Sequence, residues 1–196
     1  EHDWRLAGMD TMTYARVQYW QVLQDADPLA LISAPYHRAP QVGWRGLGRP
    51  WDSGPELSFE AEANRFRLTR DDPGTARPDG ERVHLLAQAS HTWRDAAAWF
   101  TPRAALNVAQ YRTDMPMSDG RTRASRVIPS VSLDGGMTFE RPAQWGERRL
   151  TQTLEPRVLY VNTPYRAQET LPLFDTAAKD FNTISVFSDN AFAGVD

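Results

Sequence analysis

Three observations predict an all-β fold of antiparallel, up-and-down strands. Apolar residues recur with a period of two along most of the chain. The helical period is almost absent. The connections between alternating stretches are by turns short and elaborate.

Trp4–Gly8 reads as the tail of a strand, and Thr11–Gln24 and Tyr36–Leu47 as weakly patterned strands. In Leu57–Asn64 the apolar set is Leu57, Phe59, Ala61 and Ala63, against Ser58, Glu60, Glu62 and Asn64. In Arg82–Ser90, Val83, Leu85, Ala87 and Ala89 alternate with Arg82, His84, Leu86, Gln88 and Ser90. In Phe100–Ala109, Phe100, Pro102, Ala104, Leu106 and Val108 form the apolar face, and Thr101, Arg103, Ala105, Asn107 and Ala109 the other.

Arg126–Glu140 keeps the same rhythm, with only Ile128 out of step. Asp134-Gly135-Gly136 resembles a hairpin turn, yet the alternation crosses it without changing phase. It therefore reads as one long strand carrying a glycine bulge. Arg148–Gln168 completes the set, with Leu150, Leu154, Pro156, Val158 and Tyr160 on one side and Thr151, Thr153, Glu155 and Arg157 on the other.

Pro102, Pro129 and Pro156 all lie within strands, where proline removes a ladder donor. All three fall on the apolar face, so each ring serves as a hydrophobe at the loss of one hydrogen bond. Each is expected at a bulge or local opening, as a strand-bending device rather than a gate.

Short joins (Gly8–Asp10, Gly48–Pro55, Trp93–Ala97, Pro142–Glu147) alternate with elaborate ones (Asp25–Pro35, Arg70–Gly80, Met115–Thr122 and everything from Arg166 onward). Together with dyad-repeat strands, this describes an outer-membrane β-barrel. Such strands need about nine to eleven residues to cross a bilayer. Aromatics near strand ends, such as Trp44, Trp93, Trp99 and Tyr160, suit an interfacial girdle. They would equally close a soluble sandwich. If the apolar face meets lipid, Glu60, Glu62, His84, Arg103, Asn107, Arg126, Ser130 and Ser132 face the lumen, with Glu155 and Arg157.

Residues 1–165 are therefore assigned to transmembrane strands with short periplasmic and long external turns, and residues 166–196 to an external loop leading to a next strand. The chain reads as a segment or a mature product of a longer protein. An open sheet of about eight strands would leave two unpaired edges, so it is not expected to fold alone.

Bulk composition narrows the classes. A net charge of -3 over 196 residues, with no basic cluster, argues against a nucleic-acid partner. Zero cysteines exclude disulfides and thiolate metal sites within these residues. No run reaches the eighteen or so apolar residues of a transmembrane helix.

Catalytic patterns are also missing. No Gly-x-Ser-x-Gly elbow, P-loop or metal-spaced histidine pair occurs. His91 and Asp95 read as a solvated turn pair, and Glu60 with Glu62 as two carboxylates sharing a face rather than an acid–base pair. No catalytic, cofactor-binding or metal-binding residue is assigned, and no cofactor is expected. Acidic loop residues Asp71, Asp72, Asp79 and Asp114 read as solvated.

Leu150–Asn182 carries more specific signals: Thr153-Leu154-Glu155-Pro156-Arg157, then Pro164-Tyr165-Arg166-Ala167-Gln168, then Phe174-Asp175-Thr176. With Arg126-Val-Ile-Pro129, Phe139-Glu140-Arg141, Arg82-Val83-His84-Leu85 and Asp180-Phe181-Asn182, this stretch resembles the LptD family of lipopolysaccharide-assembly (organic solvent tolerance) proteins. The resemblance is motif by motif over about the last 120 residues, and in pattern only before that.

It implies a middle portion of the family's C-terminal barrel, in the outer membrane of a Gram-negative cell. It further implies a transport function without bond-making chemistry: insertion of lipopolysaccharide into the outer leaflet. The implied partners are an LptE-type plug lipoprotein, an LptA-type periplasmic bridge reached through a domain outside this chain, lipopolysaccharide and outer-membrane lipid. Two alternatives stay open at this point. One is a small self-contained outer-membrane barrel, an enzyme or adhesin, which requires closure between first and last strands. The other is a soluble carbohydrate-binding β-sandwich, which requires the apolar faces to pack together.

Overall fold

The computed structural model describes residues 1–21, 34–68, 77–179, 185–190 and 192–194. Asp71, Asp72, the Asp180–Asn182 motif and most of the Asp25–Pro35 connection lie outside them. Thirteen strands occur among the described residues: β1 (His2–Leu6), β2 (Met9–Gln18), β3 (His37–Gly48), β4 (Glu56–Arg67), β5 (Gly80–Ser90), β6 (Trp93–Arg94), β7 (Ala98–Thr113), β8 (Arg123–Met137), β9 (Phe139–Trp145), β10 (Arg148–Leu154), β11 (Arg157–Asn162), β12 (Ala177–Ala178) and β13 (Phe192–Ala193). A 3₁₀ turn at Ser185–Phe187 is the one helical element among those residues.

Nine strands make one antiparallel sheet in the order β1-β2-β3-β4-β5-β7-β8-β11, with β6 folded against β7. Neighbours in space are neighbours in sequence, as the alternation of joins predicts. Short joins are tighter than expected. The first is Ala7-Gly8, and the last shrinks to Gly146-Glu147 because β9 runs on to Trp145. Gly146 has φ +60° at the first central position of that two-residue turn, where a side chain is disfavoured.

The long-strand reading of Arg126–Glu140 is upheld, with one correction. The pairing of β8 with β7 runs through Asp134, Gly135 and Gly136 without a register shift, so there is no glycine bulge. Gly136 instead makes room for the Trp99 ring, which a Cβ there would meet at 2.8 Å. Arg148–Gln168 is corrected more: the ladder opens at Glu155-Pro156 and ends at Asn162. β10 pairs with β9 and β11 with β8, yet both ladders share one register, since Leu154 faces Phe139 and Arg157 faces Gly136. β8–β9 and β10–β11 are therefore two long strands of one hairpin, interrupted at a single point.

The prolines explain the interruption. In an antiparallel ladder each residue's N–H and C=O point to the same neighbour, alternating along the strand. Met137 donates its N–H to the Pro156 carbonyl at 3.0 Å, and proline cannot return the bond. Pro102 likewise accepts from His91 N–H at 3.2 Å, just beyond the end of β5. Pro129 has the same parity as Met137, so its missing donor points toward β11, which has already ended opposite Val131. Of the expected bulge or local opening, it is the opening that occurs: all three sit where the neighbouring strand stops or opens, so the sheet carries them at one bond or none.

One face of this sheet is apolar and open, the other polar and covered. Val83 and Val127 are 57% and 51% exposed, whereas Arg82 and His84 are 1% and 2% exposed. A soluble sandwich has the reverse arrangement, so that alternative fails. β1 and β11 are not paired with each other, so the sheet does not close within the described residues and the self-contained barrel fails too. No helix among the described residues is long and apolar enough to cross a membrane.

Candidate functional site

Strand register stacks the polar side chains into rows across the sheet. One row runs Tyr14, Gly43, Glu62, His84, Ala109, Arg126, and the next Arg16, Gln41, Asn64, Arg82, Tyr111, Ala124. Because the pleat alternates faces, all eight predicted lumen residues share one face: Glu60, Glu62, His84, Arg103, Asn107, Arg126, Ser130 and Ser132. Seven of them line a single cavity of about 540 Å³; Glu62 does not.

Glu62 is instead enclosed by donors. The Tyr14 hydroxyl, Gln41 Nε2 (2.6 Å) and Asn64 Nδ2 all donate to its carboxylate. A buried carboxylate is tolerated only with such satisfaction. Gly43, directly across from Tyr14, lets the phenol lie down on the sheet, since a Cβ there would fall 2.2 Å from the ring.

The cover over this face comes from the chain after β11. Chain departure at Asn162 brings residues 163–179, 185–190 and 192–194 back across the polar rows. Gln168 Oε1 accepts from Arg126 Nη1 at 2.7 Å. Phe174 stacks on Phe66 with centroids 4.3 Å apart, and edge-on to Tyr36 at 5.1 Å. With Tyr111 and Ala109 these rings form a buried apolar cluster.

Asp175 beside it accepts two hydrogen bonds from Arg82, at 2.7 and 2.8 Å, and one from Arg38 at 2.8 Å. Arg82 lies under the Phe66 ring as well, 5.0 Å from its centroid. β12 and β13 pair to return the chain to this level. Residues 185–190 lie further down the face. There Asp189 takes hydrogen bonds from Arg103 and from Ser132 Oγ at 3.4 Å, and Phe187 stacks over Arg157 at 4.5 Å.

Of the motif residues, Arg157 holds long-range contacts as Gln168, Phe174 and Asp175 do. Arg157 makes two hydrogen bonds to Asp134, at 2.9 and 2.6 Å, and covers Trp99. Leu154, Glu155 and Pro156 mark the ladder opening and point away from the segment or into solvent. Pro164 follows the end of β11. Tyr165 donates to Glu169 at 2.5 Å, a bond that raises the phenol above its ordinary pKa and holds the carboxyl below its own. Arg166 is exposed.

Sequence reasoning missed Arg38, Phe66, Tyr111 and Asp189. Arg82 was on the polar face by parity, and its partner Asp175 was in a recognised motif. Their pairing was invisible because 93 residues separate them. Asp189 carried no signal at all. Among the described residues no group of His, Asp or Glu is placed to hold a metal ion. The face offers paired charges, amides and hydroxyls, suited to binding and passage of polar groups.

The family model described as "LptD: LPS transport system D" matches residues 3–196. LPS-assembly protein LptD of Albidiferax ferrireducens is 43% identical over 181 residues, covering 92% of this chain and 22% of that protein. The protein of that name from Acidovorax sp. is 39% identical over 199 residues, covering 97% and 24%. That of Alkalilimnicola ehrlichii is 38% identical over 199 residues, covering 100% and 24%. The chain thus spans about a quarter of the length of the curated relatives it matches.

Proposed function

Because this chain belongs to the LptD family, we propose that it is a stretch of barrel wall in a protein that inserts lipopolysaccharide into the outer leaflet of the outer membrane. The observation that carries the reading is the inverted sheet, with aliphatic side chains exposed on one face and charged ones buried on the other. Lipid is the medium in which that arrangement is stable. Apolar side chains there gain nothing by turning inward, and every polar backbone group must be satisfied within the wall.

In this reading β2–β5, β7 and the long strands β8–β9 and β10–β11 cross the bilayer, with β1 the tail of another, short turns on the periplasmic side and long ones outside. The segment after Asn162 is an external loop folded back into the lumen, leading to a next strand. Glu60, Glu62, His84, Arg103, Asn107, Arg126, Ser130 and Ser132 line the passage. Asp175 is the anchor of the returning loop, with Arg166 and Tyr165 at its start. An LptE-type lipoprotein would occupy the remaining lumen, and an LptA-type bridge would deliver substrate through a domain outside this chain. The role is transport, with no covalent step.

The test is depletion of the full-length protein in its own cell, followed by labelled lipopolysaccharide and an enzyme that modifies it only in the outer leaflet. New lipopolysaccharide is expected to escape modification on depletion. Unchanged modification overturns the proposal.

A further inference from the structure

Toward the long connections the apolar face of the sheet ends in charge. β7 and β8 pair Val108 with Val127, then Gln110 with Ser125, then Arg112 with Arg123, all on that face. Successive rows on one face lie about 7 Å apart, so the surface passes from aliphatic to neutral hydrogen-bonding to cationic within two steps. Gln110, Arg112, Arg123 and Ser125 are all exposed.

The arginine pair is unfavourable as it stands. Met137 directs its N–H toward Pro156, so the odd residues of β8 turn their donors away from β7. Arg112 and Arg123 are therefore a non-hydrogen-bonded pair, the kind with Cα atoms about 4.5 Å apart and side chains closest. Like charges placed directly opposite destabilise a sheet.

Neighbouring acids do not relieve the repulsion. Glu81 faces Arg112 across β5 and β7, but its carboxylate pairs with Arg65 at 3.4 Å. Asp119 in the following loop is held by Arg121. Among the described residues neither Arg112 nor Arg123 forms an ion pair or a side-chain hydrogen bond, with Asp114 just beyond β7 or with any other group. The row thus sets three guanidiniums against one carboxylate.

An anion of single charge would answer one of the two free guanidiniums. A phosphate monoester carries about -1.5 to -2 charges and three strong acceptor oxygens, which two guanidinium forks can share. Gln110 and Ser125 beneath it offer donors to the ester and hydroxyl oxygens of a head group, and the aliphatic rows below them accept hydrocarbon. The order of the rows is that of a lipid followed from its phosphate to its chains.

We propose that the outside of the wall binds, at this end of β7 and β8, a lipid whose head group terminates in a phosphate monoester. Its phosphate bridges Arg112 and Arg123, and its chains lie along Val108 and Val127. The inference rests on the reading of the apolar face as lipid-facing, which sets this end in the outer leaflet. The site lies on the opposite side of the sheet from the polar rows and their cavity.

Purified full-length protein in neutral detergent is titrated with phosphatidic acid, with phosphatidylglycerol of the same chains and with inorganic phosphate, and bound lipid is counted by native mass spectrometry. The first phosphatidic acid is expected to bind about tenfold more tightly than phosphatidylglycerol, as one further charge-assisted hydrogen bond would give. Arg112→Gln with Arg123→Gln is expected to abolish that preference, and Arg148→Gln, the same charge change at the opposite end of the wall, to leave it intact. Without lipid, Arg123→Gln should raise the thermal midpoint of heat-modifiable migration by relieving the repulsion. Saturating phosphatidic acid should reverse that order.

Arg112→Lys with Arg123→Lys, which keeps both charges without the forks, should fall between and serves if the Gln pair fails to assemble. Equal affinity of the wild type for the two lipids, or a preference that survives the double Gln change, overturns the site. Inorganic phosphate binding as tightly as phosphatidic acid overturns its lipid part. Export is scored separately by outer-leaflet modification. Normal export after depletion with the lipid preference intact refutes the transport reading alone, and an absent preference with depletion-sensitive export refutes the lipid site alone.

Discussion

Asp175→Ala is expected to release the returning segment from the barrel wall. The carboxylate accepts two hydrogen bonds from Arg82 and one from Arg38. Their positions decide the cost. The Arg38 side chain is 26% exposed and can be rehydrated where it stands. The Arg82 side chain is 0% exposed and lies under Phe66, beside the Phe174 cluster. Removing the carboxylate breaks this buried ion pair, which costs about 3–5 kcal/mol.

At 1.4 kcal/mol per tenfold, the docked-to-released ratio falls by a factor of about 10² to 10³·⁵. Lys179, four residues on, is the sole lysine of these 196 residues. A lysine-specific protease acting on the full-length protein in detergent therefore reports the released state here by one identifiable cut. Where opening is fast relative to cleavage, the cutting rate follows the released population. Cleavage at Lys179 is expected to accelerate about a hundredfold or more.

Combining Asp175→Ala with Arg82→Met should recover most of the protection, because two apolar groups replace a charge pair without stranding either member. If Asp175→Ala is cut at the wild-type rate, or the double variant is as labile as the single one, Asp175 is not the anchor.

Other consequences can be measured with the same preparation. Gly80→Ala places a Cβ 2.7 Å from both the Arg112 carbonyl oxygen and the Phe174 ring; it should destabilise the same cluster by about 1–3 kcal/mol, read as faster cutting at Lys179. Pro129→Ser should leave the thermal midpoint of heat-modifiable migration almost unchanged, whereas Ser130→Pro should lower it. The second removes a donor facing β7 and strands a carbonyl, about 1–3 kcal/mol, and equal midpoints would contradict the ladder parity derived for β8.

Leu85→Arg, on the apolar face, should cost about 2–4 kcal/mol in folding titrations into lipid vesicles if its row lies near the bilayer midplane; no loss would place that face away from lipid. Asp119 in the β7–β8 loop is held below its ordinary value of 3.8 by hydrogen bonds from Arg121. Its contribution to the turn is thus complete above that value and lost as pH falls through the depressed one. Amide exchange at Met117 and Gly120, corrected for intrinsic rate, should rise only under such acid conditions, and an earlier rise at mildly acidic pH would exclude Asp119 as the cause.

Alternation along a strand is a property of the local backbone, and for that reason the sequence by itself determined which side chains share a face. Glu60, His84, Asn107 and Ser132 could be grouped before any contact was known, and so could the outward-facing prolines. A long ladder through Gly135-Gly136 was legible for the same reason: the phase never changes.

Tertiary structure alone decided which face is covered, and by what. The break at Pro156 followed from what stands opposite it, since a proline is harmless or disruptive according to whether a neighbour needs its donor. The return of the chain after Asn162 depended on Phe174 meeting Phe66 and Asp175 meeting Arg82, contacts made across about half of the chain. Asp189 found Arg103 in the same way. Period and propensity describe a residue and its near neighbours, whereas these pairings exist only once the sheet has brought distant strands side by side.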